Sequence, residues 1–191
     1  MTFQELISKR QSVRRYQDKP VERGKLELLI DAVRISPSAC NSQPWKLIIV
    51  DGPELKGQIA KATFSKTMAF NRFTVEAPVI AVFVIEKPKL VAQIGGSLKN
   101  REFPLIDIGI AAGLFCLQAT ELGLGTCMIG WFNEKKVKKL LNIPPKKRIG
   151  LLISVGYEPI DYKQRQKIRK NKEEMSSFNS YTRQPPNLNN S

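Results

Sequence analysis

Apolar residues recur at Leu26, Leu29, Ile30 and Val33, the i, i+3, i+4, i+7 spacing of one helix face, and predict an amphipathic helix over residues 22–35 that stops at Ser36 and Pro37. Upstream, Thr2 with Glu5 three residues later makes a capping box, and Leu6 and Ile7 carry a short helix to about Arg10, after which the chain is extended. Residues 45–50 and 78–85 are short apolar runs, many of them β-branched and bounded by turn signals, as buried strands are. Residues 126–129 and 149–155 predict two further strands. Pro53, after Asp51 and Gly52, opens a helix expected to run to about residue 63, followed by an ill-defined helical stretch over 64–72. Residues 134–141 read as a lysine-faced helix.

Residues 104–122 differ from all of these. They are apolar nearly all round and close on Gly123, which predicts a long central helix, buried on most sides, with a glycine C-cap. Gly109, Ala111, Ala112 and Gly113 keep part of it narrow enough for another helix or a second subunit to approach closely. Helices and strands alternate without an internal repeat, so the fold class is α+β (α/β), a small central mixed sheet flanked by helices. One domain is expected over residues 1–174, with a polar, flexible tail over 175–191.

At 191 residues and 42% hydrophobic content the chain can bury one sizeable core. No apolar run is seen to approach the ~20 residues of a membrane helix, and residues 1–10 lack the apolar centre of a secretory signal. The expectation is a cytoplasmic protein with no membrane partner. Cys40, Cys116 and Cys127 form no C-x-x-C pair and read as reduced thiols, with no metal site.

Histidine is absent, which removes Ser-His-Asp and Cys-His catalysis and the commonest transition-metal ligand together. An enzyme built on this chain must borrow its chemistry. The formal net charge of +14 suggests a polyanionic partner or an anionic cofactor, and its distribution decides more than its size. Residues 135–172 hold thirteen Lys or Arg against Glu158 and Asp161. Few aromatics interleave them, so the run reads as a solvated face and tail, and no nucleic-acid partner is expected.

Two segments carry candidate chemistry. Arg10, Ser12 and Arg14 are spaced by two, so an extended chain turns all three to one side, where forked guanidinium donors suit phosphate oxygens. The loop at 36–44 presents Ser38, Asn41, Ser42 and Gln43 between Pro37 and Pro44, a set of donors and acceptors that suits the rim of a planar heteroaromatic ring.

In this order and separation, Arg10-Gln11-Ser12-Val13-Arg14 and Pro37-Ser38-Ala39-Cys40-Asn41-Ser42-Gln43-Pro44-Trp45 resemble the R-x-S-x-[RK] and P-S-x-x-N-x-Q-P-W motifs of the nitroreductase family of FMN enzymes. Asn71, the Asp107-Ile108-Gly109 opening of the long helix and the stretch from Gly123 to Gly130 agree, so the resemblance covers roughly residues 3–174.

The resemblance implies an intertwined homodimer with FMN at the subunit interface, NADH or NADPH as electron donor and a small-molecule electron acceptor. It implies that Arg10, Gln11 and Ser12 hold the FMN phosphate and ribityl chain, and that Arg14 lies by the N1 and O2 edge, where a guanidinium suits the negative charge gained on reduction. Pro37, Ser38, Ala39 and Asn41 would line the ring from the partner subunit, and Asn71 would bond its pyrimidine edge. Ile129, Gly130 and Trp131 correspond to the backbone over the flavin N5. No side chain is assigned the chemistry itself. Trp131 either narrows the substrate cavity or belongs to the core. Lys167 and Arg169 match the basic pair that closes on the phosphate, with Arg165 and Lys170 near enough to replace either. Between Ile85 and Pro104 little room is left for the helical insert of longer members, and no cysteine-rich extension supplies an electron-transfer cluster. The implied activity is two-electron, ping-pong reduction of a nitro compound, quinone or enone. Reductive dehalogenation, flavin cleavage and a flavin store or sensor without turnover are the alternatives.

Overall fold

The computed structural model describes residues 1–88 and 101–181. Four strands form one sheet in the order β1-β2-β4-β3, with β1 at Trp45–Val50, β2 at Val79–Ile85, β3 at Gly125–Ile129 and β4 at Arg148–Gly156. All three strand pairs are antiparallel, so the expected mixed sheet is corrected. Among the described residues the parallel element is a single bridge, Ser12 to Thr126, outside the named strands. Alternation along a strand tells which face a side chain takes but not which way a neighbour runs, which is why direction escaped the pattern.

Val79, Ala81 and Phe83 turn to one face of the sheet, and Ile80, Val82 and Val84 to the other. Both faces are covered, which explains a strand with no polar residue at all. On the first face lie α2 (Arg23–Arg34) and the long Phe103–Glu121 helix, with Leu26, Leu29, Val33, Ala111 and Phe115 in the core. Phe83 and Phe115 meet edge to face, their ring centres 5.9 Å apart. On the second face α3 (Pro53–Ala60) contributes Ile59 and the Glu134–Leu140 helix contributes Val137. The short α1 (Phe3–Lys9) opens with the expected capping box between Thr2 and Glu5. Among the described residues the α-helices in chain order are α1, α2, α3, α4 (Phe103–Glu121), α5 (Glu134–Leu140) and α6 (Lys172–Met175).

Three further expectations need correction. Residues 64–71 form turns followed by a 3-10 turn at Arg72–Val75, not a helix. Thr63 hydrogen-bonds back to the Ala60 carbonyl and Ser65 Oγ takes the Met68 N–H, local bonds that compete with helix. The α4 helix is 19 residues long with mean hydropathy 1.6, so it does meet the length and apolarity of a membrane span; its packing on α2 and the sheet accounts for the apolar residues of its buried side. It is also not buried on most sides. Ile106 and Ile110 are 51% and 41% exposed, and added Cβ atoms at Gly109 and Gly113 would meet nothing within 4 Å. An apolar stripe of α4 thus lies uncovered in the single chain. The helix does end as expected: Gly123 sits at φ 76°, with its N–H on the Thr120 carbonyl and the Leu124 N–H on the Ala119 carbonyl.

The segment 89–100, where a helical insert would fall, and residues 182–191 of the expected tail lie outside the described residues.

Candidate functional site

The chain leaves α1 at Arg10 and runs extended along the free edge of β3. The Val13 N–H donates to the Thr126 carbonyl at 2.8 Å. Gln11 and Val13 turn inward and are buried, while Ser12 is half-buried and Arg14 exposed, the alternation of an extended segment. Gly125 makes the approach possible, since a Cβ there would stand 2.7 Å from Val13 Cγ2.

A distant part of the chain folds back over this segment. The Arg14 N–H donates to the Tyr162 hydroxyl at 3.0 Å, Gln164 Nε2 to the Ser8 carbonyl at 3.2 Å, and the Arg165 N–H to Gln11 Oε1 at 3.2 Å. The Arg165 guanidinium donates to the Ser12 carbonyl. Lys167 Nζ bonds the Ile7 carbonyl at 2.8 Å and also that of Ser8, where the last turn of α1 leaves carbonyls without helical partners. Between the two segments lies a cleft of about 200 Å³ lined by Arg10, Ser12, Arg14, Arg165, Lys167 and Arg169, with Gln11 and Gln166 between them.

These five cations form no ion pair among the described residues, whereas Arg15, close by in sequence, is paired with Asp161. Lys167 has its pKa lowered, first by desolvation and then by the nearby Arg10 and Arg169 charges. Like charges gathered without a counter-ion raise the energy of the folded chain until an anion enters. Several forked donors around a small cleft suit a phosphate in shape as well as charge.

The 36–44 loop lies elsewhere in the same chain and lines no part of this cleft. Cys40, Asn41 and Gln43 take positive φ of 53°, 49° and 48° within or beside a 3-10 turn at Ala39–Asn41. Ser38 Oγ accepts the Gln43 N–H at 2.9 Å, and Gln43 Nε2 donates to Asn41 Oδ1 at 2.9 Å. The Ala39 N–H donates to both carboxylate oxygens of Asp107 on α4, at 3.1 and 3.2 Å. Pro37, Cys40 and Asn41 are exposed, and Ser38 and Ala39 half-buried.

Beyond β3, Ile129 is buried in the core of the second face and Gly130 is exposed. Trp131 is 56% exposed, which removes the core alternative for this residue. It tilts against Phe70, itself 57% exposed, with ring centres 6.4 Å apart. Asn71 is buried, and its amide nitrogen donates to the Thr63 carbonyl at 3.2 Å and the Trp131 carbonyl at 3.1 Å. Both amide hydrogens are thereby engaged, and Oδ1 remains as the atom able to accept from a ligand.

The structure thus joins Arg10, Gln11, Ser12, Arg14, Lys167 and Arg169 in one cleft, and Asn71 with Trp131 in another place. Pro37, Ser38, Ala39 and Asn41 line no part of that cleft, and the bonds of Ser38, Ala39 and Asn41 run within their loop and to Asp107. Tyr162 and Asp107 escaped a role in the sequence reading, and Arg165 entered it only as a stand-in. The signal for Asp107 is a lone carboxylate within an apolar helix. Cys116 and Cys127 are free thiols whose pKa values burial pushes up, that of Cys116 to about 11, so neither is an activated nucleophile.

Comparison with known proteins places this arrangement among relatives. The Nitroreductase family model matches residues 7–157. The chain is 30% identical over 170 residues to an iodotyrosine deiodinase of Thermotoga neapolitana, covering 80% of this chain and 87% of that one. It is 27% identical over 181 residues to an oxygen-insensitive NADPH nitroreductase of Helicobacter acinonychis, covering 77% and 82%. An FMN-dependent nitroreductase of known structure from Clostridium difficile R20291 superposes with a TM-score of 0.75 at 26% identity, covering 92% of this chain and 98% of its own.

Proposed function

Since the chain belongs to the nitroreductase family, we propose that it is an FMN-dependent oxidoreductase, a homodimer that passes two electrons from NADH or NADPH to a small oxidised acceptor in ping-pong fashion. The observation that carries this reading is the cleft of five cations without an acidic partner, built from the residue 10–14 segment and the chain returning at 162–169. FMN is the anion that fits: it brings a phosphate to a phosphate-shaped cleft, and it supplies the redox chemistry that a chain without histidine lacks.

Arg10, Ser12, Arg165, Lys167 and Arg169 hold the phosphate and the chain that leads from it. Arg14, pinned at its own N–H by Tyr162, presents its guanidinium beside the ring, where it stabilises negative charge without moving a proton. Asn71 offers Oδ1 to the ring edge and fixes the Trp131 carbonyl, so the Gly130–Trp131 backbone is held in place. Phe70 and Trp131 form an apolar wall for a flat acceptor.

Two copies are needed because the ring-lining loop and the phosphate cleft do not meet within one chain. The uncovered stripe of Ile106 and Ile110, next to an apolar groove lined by Met1, Phe3, Leu6, Ile35, Leu114 and Leu117, is the surface that a second copy covers. The Ser38, Ala39 and Asn41 side of the loop then completes the partner's site.

Reductive dehalogenation is the second reading, favoured by the 30% identity to the deiodinase. The same cleft and dimer serve both, and the acceptor distinguishes them. The test is anaerobic addition of NADH and of NADPH to the FMN-loaded protein, followed by a nitroaromatic, a quinone or a halophenol. Loss of the flavin absorption with either nucleotide and its return with an acceptor is the expected result. A flavin that neither nucleotide reduces would leave only a storage or sensing module.

A further inference from the structure

We propose that Asp107 is a positioning residue, whose carboxylate holds the 38–43 loop in the one shape that can receive the flavin ring; the role toward the ring rests on the FMN reading above. Asp107 is 4% exposed and is the lone carboxylate of α4 before its last residue, Glu121. It forms no ion pair among the described residues. An acid in such a place is costly unless hydrogen bonds replace water, so its presence requires a partner. That partner is the Ala39 N–H, which faces both oxygens.

What the carboxylate holds is strained. Cys40, Asn41 and Gln43 all take the left-handed backbone conformation that side chains disfavour, and none is glycine. The bonds from Gln43 to Ser38 and Asn41 stay inside the loop and do not tie it to the fold. The bond from Ala39 to Asp107 crosses 68 positions of sequence to the central helix. Without it the loop relaxes toward ordinary backbone angles, and Ser38 and Asn41 turn away from where they serve. A rigid planar ligand gains most from donors already in place, because the cost of ordering them is met before it arrives.

The same turn of α4 carries Ile106 and Ile110 outward and Asp107 toward the loop. The turn of helix whose outward side is assigned above to the second copy therefore also supports, on its buried side, the ring-lining loop.

The experiment compares the full-length wild type with Asp107→Ala and Asp107→Asn, by amide hydrogen exchange and by FMN titration followed through flavin fluorescence. In Asp107→Ala, the amides of 38–43 are expected to exchange about tenfold faster and the Kd for FMN to rise about tenfold, the effect of losing a hydrogen bond to a charged group. Protection of β2 should stay as in the wild type. Asp107→Asn, whose side-chain oxygen still accepts from Ala39, should recover most of both. Equal loop protection in wild type and Asp107→Ala overturns the proposal. So does a loss of protection that extends through β2 in both variants, since Asp107 would then support the whole fold. If no variant, wild type included, binds FMN, the functional reading falls instead, and the exchange data still decide whether Asp107 holds the loop.

Discussion

Arg165 closes on Ser12 across 153 positions of sequence: its guanidinium donates to the Ser12 carbonyl, and its own N–H donates to Gln11 Oε1. The returning segment is thereby fastened to the backbone of the residue 10–14 strip. Charge on the tail that would otherwise be spread through solvent is gathered around one cleft.

Removing a guanidinium from this cleft should weaken the hold on FMN more than it weakens the fold. For Arg10→Ala we expect the Kd for FMN to rise by about 10- to 100-fold, the worth of one or two charge-assisted hydrogen bonds. Thermal unfolding of the flavin-free protein should not fall, because the side chain is in no ion pair among the described residues and its loss relieves repulsion from the neighbouring cations. Equal FMN retention in wild type and variant would remove Arg10 from the phosphate site.

Alkaline pH should release the cofactor earlier than an ordinary lysine would allow. Lys167 has a pKa lowered from 10.5 by desolvation and by Arg10 and Arg169. Between that lowered value and 10.5 the unfolded chain binds more protons than the flavin-free folded one, so the stability of the latter rises with pH there. A bound phosphate raises the pKa of Lys167 again, so FMN affinity falls as pH climbs through the same window. Titrations from pH 8 upward check this, and in Lys167→Met the dependence should flatten. An equally steep fall in that variant would assign the effect to another group.

Gly125 is where the fold and the site meet. Gly125→Ala would set a Cβ 2.7 Å from Val13 Cγ2 and 2.9 Å from Glu158 Cγ, which forces the residue 10–14 strip outward. A loss of about 1–3 kcal/mol in stability is expected from overpacking, together with weaker FMN binding. Denaturant unfolding and a flavin titration measure the two effects, and unchanged binding would show that the strip need not lie against β3.

A charge in the α4 stripe should break the pair of copies. Ile110→Glu is expected to yield monomers in sedimentation and to lose FMN, although residue 110 lies on none of the cation-bearing segments. A dimeric variant with full flavin content would place the interface elsewhere.

Exchange of Trp131 for alanine should alter acceptor preference without loosening the cofactor, because the exposed ring touches Phe70 while its backbone carbonyl is what Asn71 holds. Steady-state kinetics with a flat aromatic acceptor and a small aliphatic enone would show a fall in kcat/KM for the first alone. Parallel losses for both would mean that the ring is no selectivity wall.

The strands were legible because β-branched runs cut by proline leave little choice of structure, and β1 runs over the residues expected. The alternation of Arg10, Ser12 and Arg14 was equally readable, since a spacing of two needs only an extended chain. Direction of pairing was not, because antiparallel and parallel neighbours bury the same alternate residues. Arg165 was hard to single out among thirteen cations with no periodicity; its importance lies in a turn of chain that returns to residues 11 and 12. The uncovered side of α4 escaped for a different reason. A helix apolar all round announces that every face is to be covered, without saying whether the same chain covers it.

The phosphate is the part of the cofactor on which the account turns, and comparing FMN with riboflavin isolates it. Fluorescence titration of the wild-type protein should give a Kd for FMN at least about 100-fold below that for riboflavin, the contribution of two or more charge-assisted bonds. In Arg10→Ala and Arg165→Ala that gap should narrow while riboflavin binding stays the same. Equal affinities for the two flavins in the wild type would contradict the assignment of the five-cation cleft.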